Sequence, residues 1–427
     1  MADVEKSAET SACESVNDEL SETLCNAEAD SDGGWHAWLS VFGAFLALYC
    51  TFGQLNAFGT FQTWYGDHQL RHLAPSTISW IGSLQLWVFF FSGGIIGRIF
   101  DARGPRMLML CGSAILVASI MLTSISTRFW HYILCQGILF GLGVGLVFYP
   151  SVAVVSTRFK RYRATALGIA MAGSGLGGVV YPIMFRRLFD QVGFPWAVRI
   201  SGFVCLAVCG IALATVTIPL PLRRTRRPWF ELETLKDRRF ILLLIASVFI
   251  AFGLFIPNFY VVDYAVAHGI PPTTAFYVLA IMNAGSVPGR LLPPFASDTL
   301  GRFNLMVPCV FLAGLLVLLL WTLAKNLAAI IMFSLLFGFC SGGFNALIIS
   351  CVAQISEDSQ IGTRVGILYT VISFPSLGGG PAAGALLSYS HGAYIGTIVL
   401  SGSTILVGSL LMLCARFKID GRWITRV

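Results

Sequence analysis

Twelve apolar stretches, each about long enough to cross a bilayer, follow one another through this chain and decide its fold class. They lie at 37–62, 75–98, 107–126, 131–154, 164–187, 195–218, 240–262, 273–296, 304–324, 327–351, 364–388 and 393–415. A helix needs about 20 apolar residues to span the hydrocarbon layer. Barrel strands would show alternating segments of about ten residues, and runs such as 241–253 do not alternate. Charged residues make up only 11% of the chain and hydrophobic residues 56%, against roughly 25% and 45–50% in soluble domains. These proportions exclude a soluble enzyme, a disordered scaffold and a nucleic-acid binder. The expected fold is all-α and integral to the membrane, with about twelve transmembrane helices.

The charges that remain are unevenly placed. Residues 1–32 hold ten acids and a single base, Lys6, and have no apolar core of a signal peptide. Residues 1–34 therefore read as an acidic, disordered cytosolic tail. Lys and Arg dominate the loops on one side, including Arg103, Arg106, Arg158, Arg163, Arg223, Arg302, Arg364 and Arg416, while the opposite loops hold Arg71, Arg128, Arg186, Arg187 and Lys325. The excess of positive charge marks the cytosolic side and puts both termini there. A multi-pass protein of the plasma membrane is the expected location.

The longest connection, 219–239, is basic and proline-bounded, and it separates two six-helix bundles, 35–218 and 240–416, with 417–427 as a second tail. The halves repeat. Asp101-x-x-Gly104 matches Asp298-x-x-Gly301, and Leu139-Phe140-Gly141 with Gly145 matches Leu336-Phe337-Gly338 with Gly342, all at one offset of 197 residues. Two pseudo-symmetric bundles around a cavity at the bilayer midplane is the architecture of alternating-access carriers.

The pattern Gly97-x-x-x-Asp101-x-x-Gly104-x-Arg106 resembles the loop between helices two and three of the major facilitator superfamily. Asp32-Gly33-Gly34-Trp35, Asn56-Ala57-Phe58-Gly59, Phe148-Tyr149-Pro150-Ser151 and Gly289-Arg290 before Asp298-Thr299-Leu300-Gly301-Arg302 are similar to the monocarboxylate porter family, in its fungal branch. The resemblance implies a secondary carrier of monocarboxylates. In animal members a helix-one lysine and a helix-eight Asp-x-x-x-Arg pair serve substrate and proton. Here Asn56 and Ser286 occupy the lysine and aspartate positions and only Arg290 is kept, which argues against proton–lactate symport of that kind.

Arg290 is the sharpest candidate. It lies eight residues before Asp298, or about 12 Å along a helix, too deep to reach the interface easily. An arginine at that depth costs about 3 kcal/mol or more unless it faces a cavity or a partner, and its planar fork suits a carboxylate. The bland alternative is a tie to carbonyls freed by Pro288, Pro293 and Pro294. Asn56, Tyr149, Asn283, Asn345 and Tyr369 are the other candidate substrate contacts, each of which can instead bond helix to helix; Gln85 and Asn258 are weaker ones. Gly97, Asp101, Gly104, Arg106, Asp298, Gly301 and Arg302 are candidate gating residues, the carboxylates closing onto an arginine or a helix N-terminus. The 33 phenylalanines read as core or lipid-facing.

Gly173-x-Gly175-x-x-Gly178 fits the dinucleotide pattern only formally, because it lies in an apolar helix with no preceding strand. The 11 cysteines show no CxxC and no histidine at ligand spacing, and read as small buried hydrophobes. No cofactor or metal is expected, and no acid–histidine cluster suggests an enzyme. The expected function is secondary transport of a monocarboxylate or other small organic anion, alternatively efflux of an acidic or apolar secondary metabolite, with protons as a candidate second cargo and the lipid bilayer as surroundings. The rival from another class is a non-transporting nutrient sensor, which would need a larger cytosolic module.

Overall fold

The computed structural model describes residues 34–73, 75–216, 237–357 and 360–420, and every regular element among them is a helix. Most of both tails and of the central connection lies outside the described residues, as does the side chain of Asp101. Numbered by span, the helices of the first half are α1 Trp35–Asp67, α2 Pro75–Arg103, α3 Pro105–Ile125, α4 Phe129–Arg158, and a continuous stretch Arg163–Thr215. That stretch is two spans, α5 (163–192) and α6 (194–215), joined only by Gly193, whose φ of 75° turns the chain without a loop. The second half comprises α7 Arg238–Ala267, α8 Pro272–Leu300, α9 Arg302–Trp321, α10 Leu327–Gln354, α11 Ile361–Tyr389 and α12 Ile395–Ile419.

Ten of these helices, counting Arg163–Thr215 once, are long and apolar enough to cross a membrane. Their outer faces carry exposed Phe203, Leu206, Leu312, Leu319 and Leu323, the surface expected against lipid. The span α11 has the length, 29 residues, but falls short in hydropathy, and it packs on α2 of the other half. Arg186 and Arg187, expected in a loop, belong to α5.

In the first half α1 lies on α5, α2 on α4, and α3 on α4 and α6; in the second, α8 lies on α10, α7 on α12, and α9 on α10 and α12. The halves meet along α2–α11 and α5–α8. Small residues let the backbones touch at these two seams. A Cβ on Gly97 would strike the carbonyl of Gly362, and one on Gly168 the carbonyl of Arg290. The amide of Gly94 donates to Thr370 Oγ1 at 2.9 Å, tying α2 to α11 through the backbone itself.

Two spans expected to be continuous are broken at the same relative place. α1 changes course at Thr51, with ψ of −83°, and again at Asn56 and Ala57, giving segments Trp35–Cys50, Phe52–Leu55 and Phe58–Asp67. The Thr51 hydroxyl donates to the Ala47 carbonyl at 2.7 Å, which also accepts the Thr51 amide at 3.0 Å, a back-bonding arrangement that bends helices. α7 breaks at Phe255, with Pro257 in the first turn of its second segment, Ile256–Ala267. Discontinuous helices are tolerated at membrane depth where they border a cavity, and both breaks do so here.

Candidate functional site

A narrow cavity lies between the halves, walled by Phe52, Phe90, Phe148, Met171 and Ser174 from the first and by Ala251, Phe255, Arg290, Phe344, Asn345, Ile348, Tyr369 and Ile372 from the second. Each inner helix contributes one face. The breaks in α1 and α7 turn Phe52 and Phe255 inward. Tyr369 of α11 stacks on Phe90 of α2, ring centroids 5.6 Å apart at 4°, and stands edge-on to Phe148 at 5.9 Å. The result is an aromatic box with few polar groups.

Arg290 enters that box from α8 and is only 4% exposed. Its Nη1 donates to Ser174 Oγ at 2.7 Å and to the Met171 carbonyl at 3.2 Å, both on α5. Its Nε has no hydrogen-bond partner, and no carboxylate among the described residues pairs with it. The carbonyls around the α8 prolines are not what it binds. The guanidinium therefore bridges the two halves while keeping an unmatched charge at the cavity wall. An anion supplied from outside would complete both its charge and its donors.

Of the six candidate substrate contacts, Arg290, Asn345 and Tyr369 line the cavity and three do not. Tyr149 sits behind the wall, its hydroxyl donating to the carbonyls of Phe89 and Phe90 at 3.1 and 3.3 Å, so it ties α4 to α2. Asn283 donates to the Leu279 carbonyl of its own helix at 3.2 Å. Asn56 and Asn283 flank Gly178, where a Cβ would lie 3.2 Å from Asn56 Nδ2 and 3.0 Å from Asn283 Oδ1, and so form part of the α1–α5–α8 contact. Asn258 similarly donates to Leu254 of its own helix. Gln85 faces a different, smaller cavity inside the first half, with Gln54, Thr123 and Gln136.

The phenylalanines, read from the sequence as core or lipid-facing, supply five of the cavity's walls. The signal was present but lacked a phase: Phe148 and Tyr149 are adjacent, and a rotation of about 100° between neighbours decides which one faces inward.

On the face where α1 begins and α12 ends, the halves are latched. Asp298, at the end of α8, accepts hydrogen bonds from the Ala164 and Thr165 amides at 3.1 and 2.8 Å and from Thr165 Oγ1 at 2.6 Å. It thereby caps the N-terminus of α5 across the seam, with Arg302 Nη2 3.8 Å away as a second partner. Arg302 also donates to the Lys160 carbonyl, and Arg163 to that of Ala353 in α10. Gly104 and Gly301 take φ of 80° and 100°, the left-handed geometry that allows the turn after each repeated aspartate. Arg106 is exposed at the start of α3, and the candidate role of Asp101 falls outside the described side chains. At the opposite end of α5, Arg186 lies 4.9 Å over the ring of Phe276 at the start of α8.

Residues 37–325 match the Major Facilitator Superfamily. The chain is 39% identical over 393 residues to an MFS-type transporter of Ophiocordyceps sp., covering 91% of this chain and 87% of that one. It is 37% identical to the agnestins efflux protein of Paecilomyces divaricatus, with 90% and 88% covered, and 37% identical to the aspyridones efflux protein of Emericella nidulans, with 91% and 80% covered. Among solved structures, the human organic anion transporter TETRAN shares the fold at a TM-score of 0.69, with 15% identity over 90% of this chain and 99% of that one. Two of these relatives carry efflux names and none of the three a monocarboxylate one, so the resemblance read from the motifs holds at the level of the superfamily. This chain belongs to the Major Facilitator Superfamily and is a multi-pass membrane transporter.

Proposed function

We propose that the protein exports an apolar organic acid by alternating access, with both termini in the cytosol and the plasma membrane as its site. The observation that carries this reading is the buried Arg290 guanidinium, without a carboxylate partner, in a cavity otherwise walled by aromatic rings. A carboxylate on Arg290 and a flat apolar body between Phe90, Phe148 and Tyr369 would satisfy both features. The efflux names of two of the relatives favour export.

In this reading the latch at Asp298 is the cytosolic gate, and the described conformation is closed on that side. When the carboxylate leaves the α5 N-terminus, the halves rock apart and the cavity opens to the cytosol. Among the described residues no Asp or Glu lines the cavity, so no acid of the protein competes with the cargo for Arg290.

Counterflow in proteoliposomes with a panel of aromatic carboxylic acids tests the proposal. Carboxylic acids should exchange and their methyl esters should not. Arg290→Lys, which keeps the charge but loses the fork, should slow exchange by about tenfold or more, the worth of one charge-assisted bond. Equal exchange of esters and acids, or unchanged kinetics in Arg290→Lys, would remove the anion from the proposal.

A further inference from the structure

Apart from the cavity, the first half holds a group of buried side chains that do not line it. Cys50, the last residue of the first α1 segment, and Cys205 and Cys209 of α6 bring their three Sγ atoms within 4.8 Å of one another. All three thiols are buried, at 0%, 0% and 2% exposure. Cys205 and Cys209 are one helical turn apart, and their sulfurs are separated by 3.8 Å. Tyr181 of α5 donates its hydroxyl to Cys50 Sγ at 3.5 Å, closing the group from a third helix. No histidine or carboxylate joins it among the described residues.

We propose that Cys50, Cys205 and Cys209 form a trigonal all-sulfur site for a soft cation, copper(I) being the ion they suit best. The geometry leads there first. An ion at the centre of an equilateral triangle with 3.8 Å sides lies about 2.2 Å from each corner, close to the metal–thiolate distance of about 2.3 Å. The wider sides, up to 4.8 Å, close by a small rotation of Cys50, which sits at a helix end.

Ligand chemistry narrows the ion. Thiolates without nitrogen or oxygen donors select copper(I), zinc and iron–sulfur clusters. Structural zinc takes four ligands in a tetrahedron, and only three sulfurs are offered. Charge selects in the same direction. In an apolar interior an uncompensated charge is costly, so the site stays neutral when one thiol ionises per positive charge. A single-charged ion then requires one thiol to release its proton to solvent, with the other two coordinating as neutral sulfur.

The position gives the site a consequence. Cys50 immediately precedes Thr51, where α1 breaks, and Phe52, which walls the cavity. A bound ion would pin this break to α6 and hold the first half as a rigid body.

The test uses the full chain in detergent, with accessible thiols capped by N-ethylmaleimide in the folded state so that only buried sulfur remains. Copper(I) is titrated without oxygen against bathocuproine disulfonate, a coloured competitor. The expected result is one copper ion retained per chain and an X-ray absorption spectrum with sulfur neighbours only. Cys50→Ala and Cys209→Ala should each abolish that retention. Copper should also raise the thermal unfolding midpoint of the capped natural chain but not of either variant, with metal-free midpoints reporting that both variants fold. If a variant fails to fold, the absorption spectrum and the midpoint shift of the natural chain decide. Retention equal in the natural chain and the variants, nitrogen or oxygen neighbours, or no midpoint shift would overturn the site. None of these readouts involves transported cargo, so the site stands or falls separately from the proposed export.

Discussion

Replacing Asp298 by asparagine tests how the two halves are held together on the face where they are latched. The carboxylate accepts three hydrogen bonds, two from backbone amides at the start of α5 and one from Thr165 Oγ1, and its side chain is only 4% exposed. A hydrogen bond to a charged group contributes about 1.5–3 kcal/mol, and a negative charge at a helix N-terminus adds about 0.3–1 kcal/mol. In the open state the carboxylate would be hydrated, so only part of that sum distinguishes the two states. Asparagine keeps an oxygen acceptor but loses the charge, which removes about 2–3 kcal/mol from the closed state. At 1.36 kcal/mol per decade, the closed population falls relative to the open one by about 30- to 150-fold. Spin labels at exposed Tyr162, just before α5, and Gln354, at the end of α10 across the seam, report the change by pulsed electron resonance. The natural chain should show a single short distance, and Asp298→Asn a dominant longer one. If both chains gave the same distribution, the carboxylate would be a static loop cap and the latch argument would be wrong.

Three further outcomes follow from the same contacts. Gly97→Val should hold α2 away from α11, because its Cβ meets the Gly362 carbonyl, whereas Gly59→Ala, with no atom within 4 Å, should be neutral; crosslinking between α2 and α11 distinguishes them. Tyr149→Phe should lower the thermal midpoint, the loss of a hydroxyl bond costing about 0.6–1.5 kcal/mol, and leave the KM for cargo unchanged because the ring lies behind the cavity wall. Gly289→Ala should destabilise by about 1–3 kcal/mol through overpacking, since its Cβ strikes the Phe339 carbonyl where α8 crosses α10. A thermal shift assay measures both stability effects, and a midpoint unchanged in Gly289→Ala would mean that the crossing relaxes freely.

Much of the architecture was legible because it follows from solvent. A chain in hydrocarbon must satisfy its backbone within each helix, so the lengths of the apolar stretches gave the spans to within a few residues, except where Gly193 replaced a loop. The 197-residue repeat pointed to two related halves, and Arg290 stood out because arginine is expensive at depth. The break in α1 was not legible, because Thr51 carries no strong helix-breaking signature, whereas the break in α7 at Phe255 had a signal in Pro257, which cannot donate to the helical ladder. Nor was it legible that Asn56, Tyr149 and Asn283 serve helix contacts while Phe52, Phe90 and Phe148 wall the cavity. Polarity shows that a side chain needs a partner in the membrane, but not whether that partner is a neighbouring helix or a cargo.

The cysteines mark the same boundary more sharply. Cys205 and Cys209 stand four residues apart on a helical segment, so their sulfurs share a face by periodicity alone. That Cys50, 155 positions earlier, completes the triangle depends on how α1 packs against α6. Hydropathy and charge, being properties of each segment against its solvent, fixed the spans and the depth of Arg290 from local chain alone. Which segments became neighbours, which face each turned to the cavity, and which aspartate capped which helix were decided by packing between elements far apart in the chain, where close contact and hydrogen bonding act only once the helices have met.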